Sequence, residues 1–393
     1  MDKYRRSYHE GLLHWIWETL HFDYQNLHTS HGEVIKIHQP GTYNQSDGPD
    51  FKNAEISIGK LRWFGDVEIH WKFADWHAHG HQNDPNFGNV VLHVVFDETT
   101  KTIHRKNGGS IPTLCLSSFI SKPLQSFLEH YFSNPQLPCA GHLSFISEKA
   151  FERQLEKAHK EYFEQKVDDL LEFYDPALPP AKAWQKMFTI ALFDGLGIAH
   201  NRAPMQKLAH ELLPRLKEIS SAQELRKQAI AISEIKADNP ANSSWKHKGC
   251  RPGNHPLPRI QQAADCLWHI GNLPFEQWLK DDPKVLWKEL TNSITISPSL
   301  GRERSAILFG TVFLPALYSL GNLFLSERIK SRAWDLWRTH RVPLPPSLLK
   351  LLENTSLPPS LYSNTLGTVF QLREYCRPKQ CQNCKVFKSA ISS

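Results

Sequence analysis

The sequence predicts a mixed α/β domain first, a mainly α-helical domain after it, and a short cysteine-bearing tail. Three observations carry this. Residues 89–96 (NVVLHVVF) are almost all apolar and β-branched, as in a strand covered on both faces. Residues 64–72 alternate, with Val67, Ile69 and Trp71 on one side and Asp66, Glu68, His70 and Lys72 on the other. From residue 147 the texture turns charged and helix-periodic.

Residues 8–21 read as a short amphipathic helix, with Leu12, Leu13, Trp15, Ile16 and Leu20 apolar. Glu10, His14 and Glu18, four apart, share another face of it. A strand is expected at 34–38, a turn at Pro40-Gly41, and a polar loop at 44–48. The Gly-Pro turn at 48–49 delivers Asp50 to a hairpin whose strands are 53–58 and 61–72. Residues 74–85 form an aromatic and histidine-rich loop or short helix. The buried strand at 89–96 follows, interrupted by His93, which is expected to be a hydrogen-bonded core residue. A short strand at 101–104 comes next. The expected divisions are 1–133 for the α/β domain, 147–350 for the helical domain and 351–393 for the tail.

The chain has 393 residues, enough for two or three domains, and 40% are hydrophobic, enough for sizeable cores. A net charge of +6 permits a polyanionic partner without demanding one. Seven cysteines, with no secretory pattern before them, argue against a disulfide framework and for a cytoplasmic protein. Residues 305–325 carry no charge, but Gly310, Pro315, Gly321 and Asn322 lower their hydropathy. A pair of buried helices is expected there, not a membrane span.

The residues that carry chemistry fall in three groups. Asp50 and Glu68 are two carboxylates placed to hold Mg²⁺ or Mn²⁺, with the Ile69 carbonyl as a third donor. His70 and Lys72 follow on the same strand face, where they would orient water or offset phosphate charge. The plain alternative is a solvated ladder of ordinary pairs. His77, His79 and His81 are a rival centre: on a strand they would share a face and, with an acid, hold Zn²⁺. Otherwise they form an outer layer around Asp50 and Glu68. Cys376-x4-Cys381-x2-Cys384 has the spacing of a zinc or iron–sulfur site with its fourth ligand elsewhere. Cys115, Cys139, Cys250, Cys266 or a histidine could supply it. The basic loop 245–256 would either grip phosphates or connect domains rigidly.

Two resemblances add to this. One rests on His38-Gln39-Pro40-Gly41-Thr42, Gly48-Pro49-Asp50-Phe51, Val67-Glu68-Ile69-His70, Asp75-Trp76-His77 and Leu92-His93-Val94-Val95. With Arg251-Pro252-Gly253-Asn254 and the tail cysteines, these resemble an uncharacterised bacterial family, a domain of unknown function. The other is more distant. An acidic helix, a strand, an acid-bearing hairpin, a helix and a strand resemble the PD-(D/E)xK nuclease core, a restriction-endonuclease-like fold. Pro49-Asp50 matches its first acid, and Glu68-x-His70 its second motif with His in place of Lys. Lys72 would then supply the amine, and Glu10 or Glu18 a helix carboxylate. The resemblance implies Mg²⁺- or Mn²⁺-dependent cleavage of DNA or RNA. Open alternatives are a non-catalytic nucleic-acid-binding protein and a zinc hydrolase using the histidine cluster.

Overall fold

The computed structural model describes residues 3–97, 99–105, 108–133, 137, 139, 148–235, 245–248, 254–352 and 365–391. The chain divides into two compact units. One comprises Met1–Gln154, Pro346–Leu361 and Gln371–Ser393; the other comprises Leu155–Pro345 and Tyr362–Phe370. The segment 351–393 is thus not a third body, and its cysteines belong to the first unit.

The first unit is built on a mixed sheet. Helix α1 (Lys3–Glu18) precedes β1 (Ile35–Gln39), β2 (Thr42–Tyr43), β3 (Phe51–Ile58) and β4 (Leu61–His70). After the single turn α2 (Asp75–Ala78) come β5 (Val90–Val95), β6 (Ile103–His104), β7 (Ser110–Ile111), β8 (Thr113–Cys115) and helix α3 (Lys122–Ser133). The main sheet runs β1-β3-β4-β5-β8, with β2 also on β3 and β6-β7 a separate pair. β1, β3 and β4 are antiparallel neighbours, while β5 runs parallel to β4 and β8 parallel to β5.

The pattern of α1 explains its seat. Leu12, Leu13, Ile16 and Trp17 form an apolar stripe with no exposed surface. They share a core with Phe51, Ile56, Val67, Ile69, Leu92 and Val94 from the sheet and Phe127 and Leu128 from α3. A smaller core of Trp76, Phe87, Val90, Ile103 and Ile111 lies outside that cluster. The plain alternative for the alternating strand at 64–72 leaves its polar side, with Lys72, in water. Instead every residue from Gly65 to His70 is buried, β4 ends at His70, and Lys72 stands exposed beyond it. Segment 73–87, with its own apolar residues, supplies cover for the polar side.

Two backbone features align the hairpin. Pairing between β3 and β4 shifts register between Phe51 and Ala54, where Asn53 has φ +58 and donates its N–H to Asp66 Oδ1 at 3.1 Å. Such a bulge re-aims the strand end that leads to Asp50. Gly65 admits the chain entering β5: a Cβ there would lie 2.4 Å from Val91 Cγ1 and 2.5 Å from the Asn89 carbonyl oxygen.

The second unit is helical. It contains α4 (Glu148–Leu171) from Leu155 onward, α5 (Pro180–Leu196), α6 (Ile198–Leu212), α7 (Ala222–Ser233) and α8 (Pro256–Asn272). Trp184, Phe188, Trp278 and Phe313 pack ring against ring in its core, and Trp184 Nε1 donates to the Ala316 carbonyl at 2.7 Å. The uncharged stretch lies in one helix, Arg302–Leu323, with a π-helical turn at Phe309–Phe313, where a pair was expected. It is apolar and long enough to cross a membrane, but 67% of its apolar window is buried inside the protein. Residues 249–253 of the basic loop, with Cys250 and Arg251, lie outside the described residues.

Gly65→Ala should destabilise the first unit by about 1–3 kcal/mol, since the new methyl meets strand backbone as well as a side chain. A denaturant titration against wild type checks this; an unchanged midpoint would refute the close approach.

Candidate metal centre

The loop before β3 is fixed by Asn44. Its backbone N–H donates to the Asp50 carbonyl at 2.8 Å and its Nδ2 to the Pro49 carbonyl at 2.9 Å. Asp50 is thereby set against the end of β4. Its Oδ2 accepts the Ile69 N–H at 2.9 Å, and its own N–H donates to Glu68 Oε2 at 3.1 Å. Asp50 and Glu68, far apart in sequence, are thus bonded reciprocally through backbone and side chain.

Histidines converge on this pair. His81 Nε2 lies 3.1 Å and His70 Nε2 lies 3.4 Å from Glu68 Oε1. His70 Nε2 is also 3.2 Å from His79 Nδ1, and His70 Nδ1 is 2.9 Å from His93 Nε2 on β5. From α1, His14 Nε2 approaches Asp50 Oδ2 to 3.2 Å. Gly80, at φ +80, reverses the chain between His79 and His81 so that both rings reach His70. The His81 ring stacks on Phe87 at 3.9 Å and meets the edge of Trp76.

His70, His79 and His81 offer ligand atoms all within 4.8 Å of one another, and His79 is exposed. A tetrahedral ion with bonds of ~2.0–2.1 Å has ligand–ligand edges of ~3.4 Å. Three of the six edges among Glu68, His70, His79 and His81, at 3.1, 3.4 and 3.2 Å, lie close to that figure. The Nε2 atoms of His14 and His81 make no hydrogen bond despite lying so near a carboxylate. Two imidazole nitrogens left without a hydrogen bond beside carboxylates fit a shared cation. His93 fixes the His70 ring by its other nitrogen, as an outer partner of a metal-binding histidine does.

The electrostatics agree. Burial, then Asp50 and Asp75, push the Glu10 carboxyl up to about 8. Burial, then Asp50 and Glu10, hold Glu68 well above the carboxylate range. Burial, then the neighbouring His93, His81, His79 and His14, hold His70 well below the ordinary histidine value. Burial and then His79 bring His81 down to about 4, and burial with His81 and His77 bring His93 to about 3. Neutral imidazoles keep a lone pair for a metal, and crowded carboxylates gain from a cation.

The two centres expected from sequence are therefore one. Asp50, Glu68 and His70 come together with His79 and His81. His77 is not in the trio: it is exposed on α2 with its ring beside Phe73. The histidines sit on helical turns and not on a strand. Lys72 donates its backbone N–H to Asp75 Oδ2 and is otherwise turned to solvent. Glu10 is the helix acid near the site; Glu18 is exposed. His14 and His93 were not expected as members. Their signals were the spacing of Glu10 and His14 and the break that His93 makes in an apolar strand.

The tail cysteines also come together, and Cys139 joins them. Each of Cys139, Cys376, Cys381 and Cys384 lies within electrostatic reach of the other three. All are thiols, and burial, reinforced by these neighbours, pushes Cys139 up to about 12 and Cys376 and Cys381 well above the thiol range. Cys115 lies on β8, and Cys266 is in the second unit.

A family model matches residues 10–235, which include the whole candidate centre. The chain belongs to the DUF2851 family, described as a protein of unknown function. No curated protein and no solved structure matches this DUF2851 chain.

The shifted groups make the metal-free protein pH-sensitive. A carboxyl whose folded value, about 8, exceeds its unfolded 4.5 stabilises the fold fully below 4.5 and loses that contribution as pH rises through 8. Glu68 acts in the same direction. His81 and His93, lowered to about 4 and 3, contribute above 6.5 and lose that contribution as pH falls. Between 6.5 and 8 the carboxyl effect is read alone. Metal-free wild type should lose stability there, at most about 1.4 kcal/mol per pH unit for each such group. Glu10→Gln should reduce the slope in chemical denaturation. An equal slope in the two proteins would remove Glu10 from the centre.

Proposed function

We propose that this chain is a metal-dependent hydrolase cleaving phosphodiester bonds in nucleic acid. The observation that carries the reading is Glu68. Its carboxylate takes the Asp50 N–H on one oxygen and meets His70 and His81 on the other. Carboxylates on two adjacent strands would thereby share a cation with imidazoles from the crossover segment. The order of α1, three antiparallel strands, a short helical crossover and a parallel strand supports the comparison with the PD-(D/E)xK core.

Glu68, His70, His79 and His81 would hold the ion, with Asp50 beside them. Three imidazoles favour Mn²⁺ or Zn²⁺ over the all-oxygen preference of Mg²⁺. A bound divalent cation would supply an acidified water and offset charge on the phosphate. The chain's own residues do the rest. The Ile69 N–H holds the Asp50 carboxylate, and His93 holds the His70 ring. Glu10, close to half-protonated near pH 8 in the metal-free chain, is the group with a proton to exchange. His79 and Lys72 are exposed, and Lys72 would contact backbone phosphate.

A second reading is favoured by the histidine trio itself: a zinc hydrolase acting on a small substrate. Labelled single- and double-stranded DNA and RNA, offered with Mn²⁺, Zn²⁺ or Mg²⁺, separate the readings. The expected result is Mn²⁺- or Zn²⁺-supported cleavage, reduced at least ~100-fold in Glu68→Gln and in the folded Asp50→Ala/Glu68→Ala pair. Lys72→Ala should raise KM more than it lowers kcat and flatten the salt dependence. Salt-sensitive binding without cleavage would make the protein a nucleic-acid-binding module. Neither binding nor cleavage, with zinc retained, would favour the small-molecule reading.

A further inference from the structure

We propose that Cys139, Cys376, Cys381 and Cys384 hold an iron–sulfur cluster that fastens the C-terminal segment to the α/β unit. This stands independently of the reading above.

Cys139 is more than two hundred residues from the other three in sequence, yet it is gathered with them on one side of the main core. Cys139, Cys381 and Cys384 pack against the cluster that contains Trp17, Phe127 and Phe387. Four thiols brought to one place from two ends of a chain form a complete tetrathiolate donor set.

A second observation points to charged sulfur. Gln371 is buried at 3% exposure, and its Nε2 donates towards Cys376 Sγ at 3.4 Å and Cys384 Sγ at 3.9 Å. Its amide cannot turn away, because its Oε1 accepts from Gln154 Nε2 at 2.8 Å. Gln154 is held in turn by the Lys385 N–H at 2.8 Å. A buried amide aimed at two sulfurs is matched to thiolates, and hydrogen bonds of this kind tune cluster sulfurs.

One tetrathiolate set can serve a single zinc ion, with Zn–S bonds of ~2.3 Å, or a cubane that gives each thiolate its own iron. The buried Gln371 amide, donating towards two of the sulfurs at once, is the feature that fits a cluster, whose sulfurs such hydrogen bonds tune. The surroundings show what the cluster would fasten. Tyr131 donates its hydroxyl to the Lys379 carbonyl at 2.8 Å, and Phe387 packs on Phe127 at 4.8 Å.

The test is anaerobic purification of the full chain, with iron, sulfide and zinc analysis and visible absorption. About four irons and four sulfides per chain are expected for a cubane. They should be lost in Cys139→Ser and Cys381→Ser and retained in Cys115→Ser and Cys266→Ser. Differential alkylation of wild type needs no folded variant: the loaded protein should shield these four of its seven cysteines, and cluster removal should expose them. Limited proteolysis should cut residues 371–391 faster once the cluster is removed. Stoichiometric zinc in place of iron, full iron in Cys139→Ser, or no bound metal would each overturn the proposal.

Discussion

The structure of the first unit depends on one reciprocal pair of hydrogen bonds. Asp50 takes the backbone N–H that follows Glu68, and Glu68 takes the backbone N–H of Asp50. The start of β3 and the end of β4 are locked together by two carboxylates, not by ladder bonds alone. Both acids lie against a sheet whose neighbouring residues are apolar, and Glu68 is only 5% exposed. A buried carboxylate is costly unless its charge is answered. Among the described residues no lysine or arginine pairs with either acid, so the answer falls to backbone donors and imidazoles.

That constraint accounts for the crossover between β4 and β5. A parallel pair needs a connection that crosses the sheet, and a helix of several turns is the common solution. Here the connection is a single helical turn, two 3₁₀ turns and a left-handed glycine. A regular helix spaces ring-bearing positions at three and four residues, so His79 and His81 would diverge. Broken backbone lets residues two apart meet the same imidazole, His70. Trp76 and Phe87 bury enough apolar surface to hold that irregular segment, and His81 packs against both rings.

Much of the architecture was legible because hydrophobic period reports it directly. The buried strand at 90–95, the hairpin and the apolar stripe of α1 were each expected within a few residues. The function-bearing half of the pattern was only partly legible. Alternation in β4 identified which residues share a face but not what covers that face. Water and a histidine loop leave the same local trace in sequence. His79 and His81 were recognisable as candidate ligands by type, whereas their meeting at His70 depends on the Gly80 reversal. His93 looked like a core residue and is one, yet its Nε2 bonds to His70. Cys139 could be named as a candidate fourth ligand, but choosing it over Cys115 or Cys266 needed the fold.

Helix α1 ties the two ends of the first unit to the same element. Glu10 and His14, four residues apart, face the carboxylate pair. One position on, Gly11 and Trp15 face the tail. A Cβ at Gly11 would lie 3.1 Å from Gln382 Nε2, and Trp15 meets the Phe387 ring at 5.7 Å. Adjacent stripes of one helix thus carry the acid that crowds the candidate centre and the surface that receives the cysteine-bearing segment. A helix cannot rotate one stripe without moving the other. Whatever holds residues 381–387 in place therefore also holds the burial of Glu10 and, after it, the nearness of Asp50, which together raise the Glu10 value. The tail cysteines and the histidine group are separate clusters, but a shared rigid helix makes the geometry of the second answerable to the order of the first.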